Sequence, residues 1–322
     1  MKSSALIRAH SRRQFIKQVS AAGLGLGLMS LSPVAAYGRR LDSGQKRITI
    51  MHTNDTHARI EPFPDGSGRY ANMGGTARRA ALIKKIRQAQ PHNLLLDAGD
   101  VFQGTPYFNF YEGALDYELM SMMGYDASTI GNHEFDNKVE GFVEVAPKAR
   151  FPFVISNYDF SGAPAMGAFT RPHLIKHVDG VRIGIFGLGV AFKNLVLPHL
   201  HQGVQDRDAI ATASEMTQRL RQDFHCDMVI CLSHLGYRYD DPEQVSDQIV
   251  ANQVHGIDLI IGGHTHTLLD EPEIVEKAGD APTVISQVGH GGVVLGRLDF
   301  EFTRTNRLRG VSVANQSIDA SI

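Results

Sequence analysis

Five short segments of the sequence concentrate aspartate, histidine and asparagine, whose oxygen and nitrogen atoms are good ligands for divalent metal ions. Each segment follows a short apolar run typical of a β-strand, so each is expected in a loop where a strand ends. A lone histidine after such a strand is more often a hydrogen-bonded core residue than a ligand. Five segments of the same kind predict a common metal site, and they are residues 52–57, 97–104, 131–136, 233–236 and 262–266.

The side chains in these segments favour two Lewis-acidic ions over a structural zinc site. Residues two apart in an extended chain point to the same side, so Asp55 and His57 could bind one ion, and His264 and His266 would likewise lie on one side of their segment. Because only two carboxylates are among the candidate ligands, the site would keep a charge of about −2, which suits two divalent cations and a shared hydroxide. No cysteine lies in the five segments, which argues against a closed zinc site.

The composition of the whole chain excludes several classes of protein. Its 322 residues are 43% hydrophobic and 20% charged, which excludes a disordered chain and a membrane bundle. Residues 1–36 carry five basic side chains and no acidic one, so the remainder has 27 basic against 34 acidic residues. This balance argues against binding to a nucleic-acid duplex. The two cysteines, Cys226 and Cys231, cannot form a disulfide framework.

The first 36 residues are predicted to be a twin-arginine export signal. Arg12 and Arg13 stand in the sequence Ser-Arg-Arg-Gln-Phe-Ile-Lys, and a mildly apolar run over residues 21–32 ends before the small residues Ala35 and Ala36. The run is too short and too rich in glycine for a stable membrane anchor. We therefore expect an exported protein, periplasmic or secreted, with the twin-arginine translocase as a partner. An amphipathic N-terminal helix is the alternative.

The remaining chain, residues 37–322, is predicted to be a single α/β domain. Amphipathic helical patterns over residues 76–90, 114–123, 208–224 and 243–254 alternate with short apolar runs. The last forty residues contain only strand-like patterns, which favours a mixed sheet over a purely parallel one. The predicted strands are residues 48–52, 93–96, 128–130, 153–155, 183–188, 228–232, 259–261, 283–286 and 293–302.

The order of the five segments resembles the calcineurin-like metallophosphoesterase superfamily. It reads Asp-x-His, Gly-Asp, Gly-Asn-His-Glu, a single His, and Gly-His-x-His, and residues 52–55, 100–104 and 131–136 are similar to the catalytic N-terminal domain of 5′-nucleotidases. The resemblance covers residues 47–303. It implies a four-layer α/β/β/α sandwich of two mixed sheets. It also implies hydrolysis of phosphomonoesters of nucleotides or related compounds by a hydroxide that two metal ions share.

The resemblance also assigns roles to individual residues. It implies that Asp100 bridges the two ions, with Asp55, His57 and His266 completing one ligand set and Asn132, His234 and His264 the other. His133 would act on the transferred group or the leaving oxygen, and Asp136 would fix its tautomer; a helix N-cap is the alternative for Asp136. Substrate contacts are expected from Asn132, His133 and Asn157, with a turn as the alternative role for Asn157. Asp97 is expected to support its loop, and His290 to lie either at the cleft or on the surface.

Several questions stay open at the level of the sequence. The ions would be Mn, Fe or Zn, and the substrate a small phosphoester. The sequence ends at Ile322, before the C-terminal substrate domain that the resemblance leads one to expect, so we expect looser selectivity or a separate chain that supplies this domain. A cyclic-nucleotide phosphodiesterase and a thiosulfate-ester hydrolase would use the same site. A non-catalytic metal-binding module is the alternative of another class.

Overall fold

The computed structural model describes residues 45–322, so the predicted export signal lies outside the described residues. Within this part of the chain, strands and helices alternate as the sequence predicts. The strands are β1 Lys46–Thr53, β2 Asn93–Asp97, β3 Ala127–Ser128, β4 Phe153–Val154, β5 Tyr158–Asp159, β6 Thr170–Arg171, β7 His173–Val178, β8 Val181–Leu188, β9 Gln205–Asp206, β10 Met228–Ser233, β11 Leu259–Gly262, β12 Glu273–Val275, β13 Thr283–Ser286, β14 Val294–Phe302, β15 Leu308–Val313 and β16 Gln316–Ser317. The α-helices are α1 Thr76–Ala89, α2 Pro106–Tyr111, α3 Ala114–Met123, α4 Lys138–Val145, α5 Pro164–Gly167, α6 Ala209–Gln222 and α7 Asp247–Gln253.

The strands form two large mixed sheets, which confirms the predicted fold class. The first sheet has the order β15-β14-β1-β2-β3-β4-β6, with β16 also paired to β14, and the second has the order β12-β13-β11-β10-β8-β7. Strands β5 and β9 form a separate pair. In each large sheet the central strands are parallel and antiparallel strands lie at one or both edges.

Alternating side chains on the strands explain the four layers. Ile50 and Ile230 lie in a core cluster to which both sheets contribute, whereas Met51 packs with the helices that cover the first sheet. Cys231 similarly belongs to the cluster between the second sheet and helices α6 and α7. The successive residues Ile50 and Met51 therefore face opposite sides of their sheet, and helices cover the outer face of both sheets.

Two predictions from the sequence need correction. The strand expected at residues 128–130 is only two residues long, and the helix expected from residue 243 begins at Asp247, where the Ser246 hydroxyl accepts a hydrogen bond from the Ile249 N–H. On α1, whose other basic side chains are at least partly exposed, Arg79 is buried, with 5% of its surface exposed. Cys231 lies in β10 and Cys226 lies before it, and both cysteines are buried and unpaired.

The parallel strands bring the chemically interesting loops to one edge of the sandwich. The loops after β1, β2 and β3 leave the first sheet, and those after β10, β11 and β13 leave the second. Because parallel strands share one direction, these loops meet at their carboxyl ends. Among the described residues, no helix has the length and apolar character required to cross a membrane.

Candidate metal centre

The loops that carry the predicted ligands turn through left-handed backbone rather than continuing as extended strands. Asp55, His57 and Asp100 have φ angles of 48°, 50° and 53°, and His264 and His266 have φ angles of 72° and 52°. The expectation that these pairs lie side by side in extended segments is therefore wrong. Such φ angles are uncommon for residues other than glycine and cluster at functional sites, where the surrounding contacts hold them.

The first candidate group consists of Asp55, His57 and His266, whose ligand atoms all lie within 4.8 Å of one another. His57 Nδ1 is 3.1 Å from the Phe102 carbonyl oxygen, so this nitrogen carries the proton and donates it. His57 Nε2 then faces His266 Nε2 at 2.9 Å, and His266 Nε2 lies 3.5 Å from Asp55 Oδ1. Two imidazole nitrogens that face each other this closely require a proton or a cation between them.

The second candidate group consists of Asp100, His234 and His264. The His234 Nδ1–H donates to the Ala98 carbonyl oxygen at 2.7 Å, which directs Nε2 to within 3.0 Å of Asp100 Oδ2. This buried nitrogen is close enough for an ion pair but is not aligned for a hydrogen bond with any described residue. His264 Nδ1 lies 2.8 Å from Asn132 Oδ1, so the predicted ligand Asn132 borders the same group.

Asp100 lies between the two groups. It also belongs with His57 and His133 to a third set of ligand atoms within 4.8 Å of one another. Burial raises the pKa of this carboxyl, but the nearby His234 outweighs burial and lowers its pKa far below the usual range. The mixed carboxylate, imidazole and carboxamide donors, with an orphaned buried nitrogen beside Asp100, fit divalent metal ions.

The histidines of the centre titrate in opposite directions. Burial disfavours the charged form of His234, yet the adjacent Asp100 carboxylate prevails and raises its pKa to about 10. Burial lowers the pKa of His264 to about 4, with the His234 charge acting in the same direction. Burial also lowers the pKa of His57. In the absence of an ion, a proton on His234 neutralises the charge of Asp100, and a bound cation would replace it.

His133 and Asp136 form a hydrogen-bonded pair at the mouth of the centre. The Nδ1–H of His133 donates to Asp136 Oδ2 at 2.8 Å, across the short 3₁₀ turn His133–Phe135. Burial lowers the pKa of His133, but the hydrogen bond to Asp136 and the charge of Asp100 outweigh it and raise this pKa to about 9. Asp136 follows the 3₁₀ turn and precedes the N-cap position of α4, so the contacts do not favour the helix N-cap alternative.

Asn157 occupies a different position from the other predicted site residues. Its Nδ2 donates to the Gly189 carbonyl oxygen at 2.8 Å, and its Oδ1 accepts from the Gly189 N–H at 2.8 Å. The amide thereby joins the segments after β4 and β8. These contacts favour a structural role for Asn157, and its contact with a substrate stays a prediction.

Glu134 supports the loops of the centre, although sequence reasoning gave it no role. It is 1% exposed, and its two carboxylate oxygens accept hydrogen bonds from the N–H groups of Asp100, Val101 and Gly131 at 3.1, 2.8 and 2.6 Å. Glu134 therefore fixes the loop of Asp100 against the loop of Asn132. Its presence beside His133 in the motif was a signal, but its partners are known only from the fold.

Other polar residues support the same loops. Asp97 accepts hydrogen bonds from Thr53 Oγ1 at 2.6 Å, Ser128 Oγ at 2.9 Å and the Gly99 N–H at 3.0 Å, which confirms its predicted supporting role. Asn54, a second residue missed from the sequence, accepts from the Val288 N–H at 3.0 Å and donates to the Gly289 carbonyl oxygen at 2.6 Å.

A cavity of about 280 Å³ opens beside the centre. His57, His133 and His266 of the centre line it, and Arg59 and His290 are among its other lining residues. His290 therefore lies at the cleft rather than on the outer surface. Its ring stacks on that of His266, with centroids 4.7 Å apart and planes inclined by 17°.

Comparisons with known proteins agree with this geometry. The calcineurin-like phosphoesterase family matches residues 48–268. The chain is 34% identical to the trifunctional nucleotide phosphoesterase protein YfkN of Bacillus subtilis over 79% of its own length and 18% of that protein, and 33% identical to 5′-nucleotidase of Rattus norvegicus over 74% and 42% of the two chains. It thus spans less than half the length of these two relatives.

A solved structure shares the fold. The 5′-nucleotidase precursor from Thermus thermophilus superimposes with a TM-score of 0.75 at 32% sequence identity, over 85% of this chain and 55% of that one. The family match includes every predicted metal ligand, from Asp55 to His266. The protein therefore belongs to the calcineurin-like phosphoesterase family.

Proposed function

We propose that this protein is a metal-dependent phosphohydrolase that uses two divalent ions to hydrolyse phosphomonoesters of nucleotides or related compounds. The observation that carries the proposal is the position of Asp100, a buried carboxylate that shares ligand groups with histidines on both sides. The names of the relatives, 5′-nucleotidase and nucleotide phosphoesterase, support the same substrate class. Because this chain spans only part of those proteins, its own activity is inferred.

The residues of the two groups would hold the ions. Asp55, His57 and His266 would complete one set and Asn132, His234 and His264 the other, with Asp100 common to both. When bound, such ions act as Lewis acids and lower the pKa of a water molecule toward neutrality. Mn, Fe and Zn all accept these donor types, so elemental analysis must identify the ions.

His133 would supply a proton at the reacting phosphate. Because its Nδ1–H is committed to Asp136, its Nε2–H is the group available to a phosphoryl or leaving-group oxygen. The raised pKa of about 9 keeps the imidazole charged at neutral pH, which suits stabilisation of negative charge and donation to the leaving oxygen. The pairing of His133 with Asp136 argues against a non-catalytic metal-binding module.

The same site could hydrolyse related esters, and we also propose a route of export and a partner chain for the protein. A cyclic-nucleotide phosphodiesterase and a thiosulfate-ester hydrolase differ from the leading function only in the ester that is cleaved. We propose export through the twin-arginine translocase, in line with the pattern at Arg12 and Arg13. A separate chain that contributes nucleobase recognition remains part of the proposal.

Metal quantitation combined with a substrate panel tests this function. The panel contains nucleoside 5′-monophosphates, p-nitrophenyl phosphate, its bis-ester, a cyclic nucleotide and a thiosulfate ester. We expect about two metal equivalents per chain, hydrolysis of the monoesters, loss of activity on chelation and its return with metal. Asp100→Ala should lose both metal equivalents. One equivalent or none, or faster cleavage of the diesters, would contradict the proposal.

A further inference from the structure

The cavity beside the metal centre is also lined by polar residues that belong to neither of the two ligand groups. Besides the histidines of the centre, its wall contains Arg59, Gln103 and His290, and none of the described carboxylates lines it directly. Arg59 has no ion-pair partner within the described part of the chain. An unpaired guanidinium at the edge of a ligand-sized cavity is suited to an anion.

A stacking contact holds Arg59 against Phe63, which forms an aromatic wall together with Tyr70 and His290. Its guanidinium carbon lies 4.2 Å from the centre of the Phe63 ring, a cation–π contact. The Arg59 N–H donates to the Thr56 carbonyl oxygen at 3.0 Å, and its own carbonyl oxygen accepts from Thr76 Oγ1 at 3.4 Å. Stacking leaves the planar edge of the guanidinium, with its N–H donors, available to a ligand.

The aromatic wall is better suited to holding Arg59 than to stacking a nucleobase. Arg59 covers one face of Phe63, Arg69 lies 4.7 Å from the centre of the Tyr70 ring, and His290 stacks on His266. Phe63 and Tyr70 also pack edge-on against His290, with ring centroids 6.0 and 5.3 Å apart. The rings therefore already contact one another and the two arginines through these faces and edges, and those surfaces are not available to stack on a base. This favours an anion over a nucleobase as the ligand of the cavity.

We propose that Arg59 forms an anion subsite that recognises a second phosphate on the substrate, next to the phosphoryl group that is cleaved. The inference rests on the proposed function and adds phosphoanhydrides to its substrates, in which the cleaved phosphoryl group is linked through one oxygen to a second phosphate. In the reaction, water adds to the terminal phosphorus and the bond from this phosphorus to the bridging oxygen breaks. The bridging oxygen leaves with the second phosphate, which Arg59 holds, and one proton is released or transferred to that oxygen.

Binding calorimetry on the metal-loaded protein tests the subsite without turnover. Methylenediphosphonate carries two linked anionic groups and methylphosphonate carries one. We expect Arg59→Gln to weaken binding of methylenediphosphonate by about 10- to 100-fold and that of methylphosphonate by less than about twofold, because only the former reaches the guanidinium. Arg59→Lys should recover part of the affinity, since it restores the charge without the planar stack.

Arg69→Gln is the matched control, because Arg69 also stacks on an aromatic ring of this wall but does not line the cavity. It should change neither affinity by more than about twofold. Equal weakening of both probes in Arg59→Gln, or of neither, would overturn the subsite. Hydrolysis assays separate the two levels of inference. If the wild type cleaves no phosphoester, the proposed function fails, whereas equal cleavage of a nucleoside diphosphate by the wild type and Arg59→Gln refutes only the subsite.

Discussion

Glu134 offers a direct test of how the site is held, because its hydrogen-bond partners are all backbone N–H groups. Glutamine keeps the size of this side chain but replaces one carboxylate oxygen by an NH₂ group. Either the N–H groups of Val101 and Phe102 or those of Asp100 and Gly131 would then face another donor. An unpaired buried N–H costs about 1–3 kcal/mol, so Glu134→Gln should lower the free energy of unfolding by about 2–6 kcal/mol.

Urea denaturation of the metal-free protein measures this loss. It is best done at pH 5, because burial and the charge of Asp100 raise the pKa of Glu134 to about 7, and above that pH the buried charge itself lowers stability, a cost that glutamine would remove. We also expect a lower metal content after reloading, since Asp100 and Asn132 lose their common support. Glu140→Gln, on the exposed side of α4, is the matched control. An unfolding free energy within about 1 kcal/mol of wild type, with unchanged metal content, would refute this reasoning.

Two further predictions concern catalysis and pH. His133→Ala should lower kcat by about 100-fold or more while elemental analysis still finds the wild-type metal content; unchanged turnover would remove its proposed role. Burial raises the pKa of Asp116 from 3.8 to about 7, so its contribution to stability is complete below pH 4 and is lost as the pH rises through 7. Asp116→Asn should therefore match wild type at pH 4 and exceed it at pH 8, by about 4 kcal/mol at most, in urea denaturation. A constant difference between pH 4 and 8 would contradict this.

The sequence was sufficient to predict which residues gather at the site. Parallel strands carry their carboxyl ends to one edge, so polar residues after β1, β2, β3, β10 and β11 had to meet there once the α/β pattern was recognised. Short apolar runs, such as residues 48–52 and 228–232, also identified strands. Hydrophobic periodicity and the position of a residue after an apolar run are local properties of the sequence. They can therefore be recognised without knowledge of the fold.

The details of the site could not be read in the same way, because they depend on partners distant in sequence. The left-handed backbone at Asp55 and His264 follows from contacts between loops, such as the hydrogen bond from the His264 N–H to Asp55 Oδ1 at 2.9 Å. Arg79 belongs to a basic run that is otherwise at least partly exposed, and no pattern distinguishes the one arginine that the core covers. Glu134 acquires its role only when the loop of Asp100 is beside it.

The position of β1 in its sheet has a consequence for the folding of this protein during synthesis on the ribosome. Strand β1 pairs with β2 on one side, and β2 follows it within fifty residues. On its other side β1 pairs with β14, where Thr49 lies opposite Asp299, a residue 250 positions later in the sequence. At translation rates of about 5–20 residues per second, one edge of β1 stays unpaired for roughly 12–50 seconds until β14 has been synthesised. During this interval an apolar strand edge is open to chaperones and to other nascent chains, so synthesis rate and chaperone supply should govern the yield of the protein in cells.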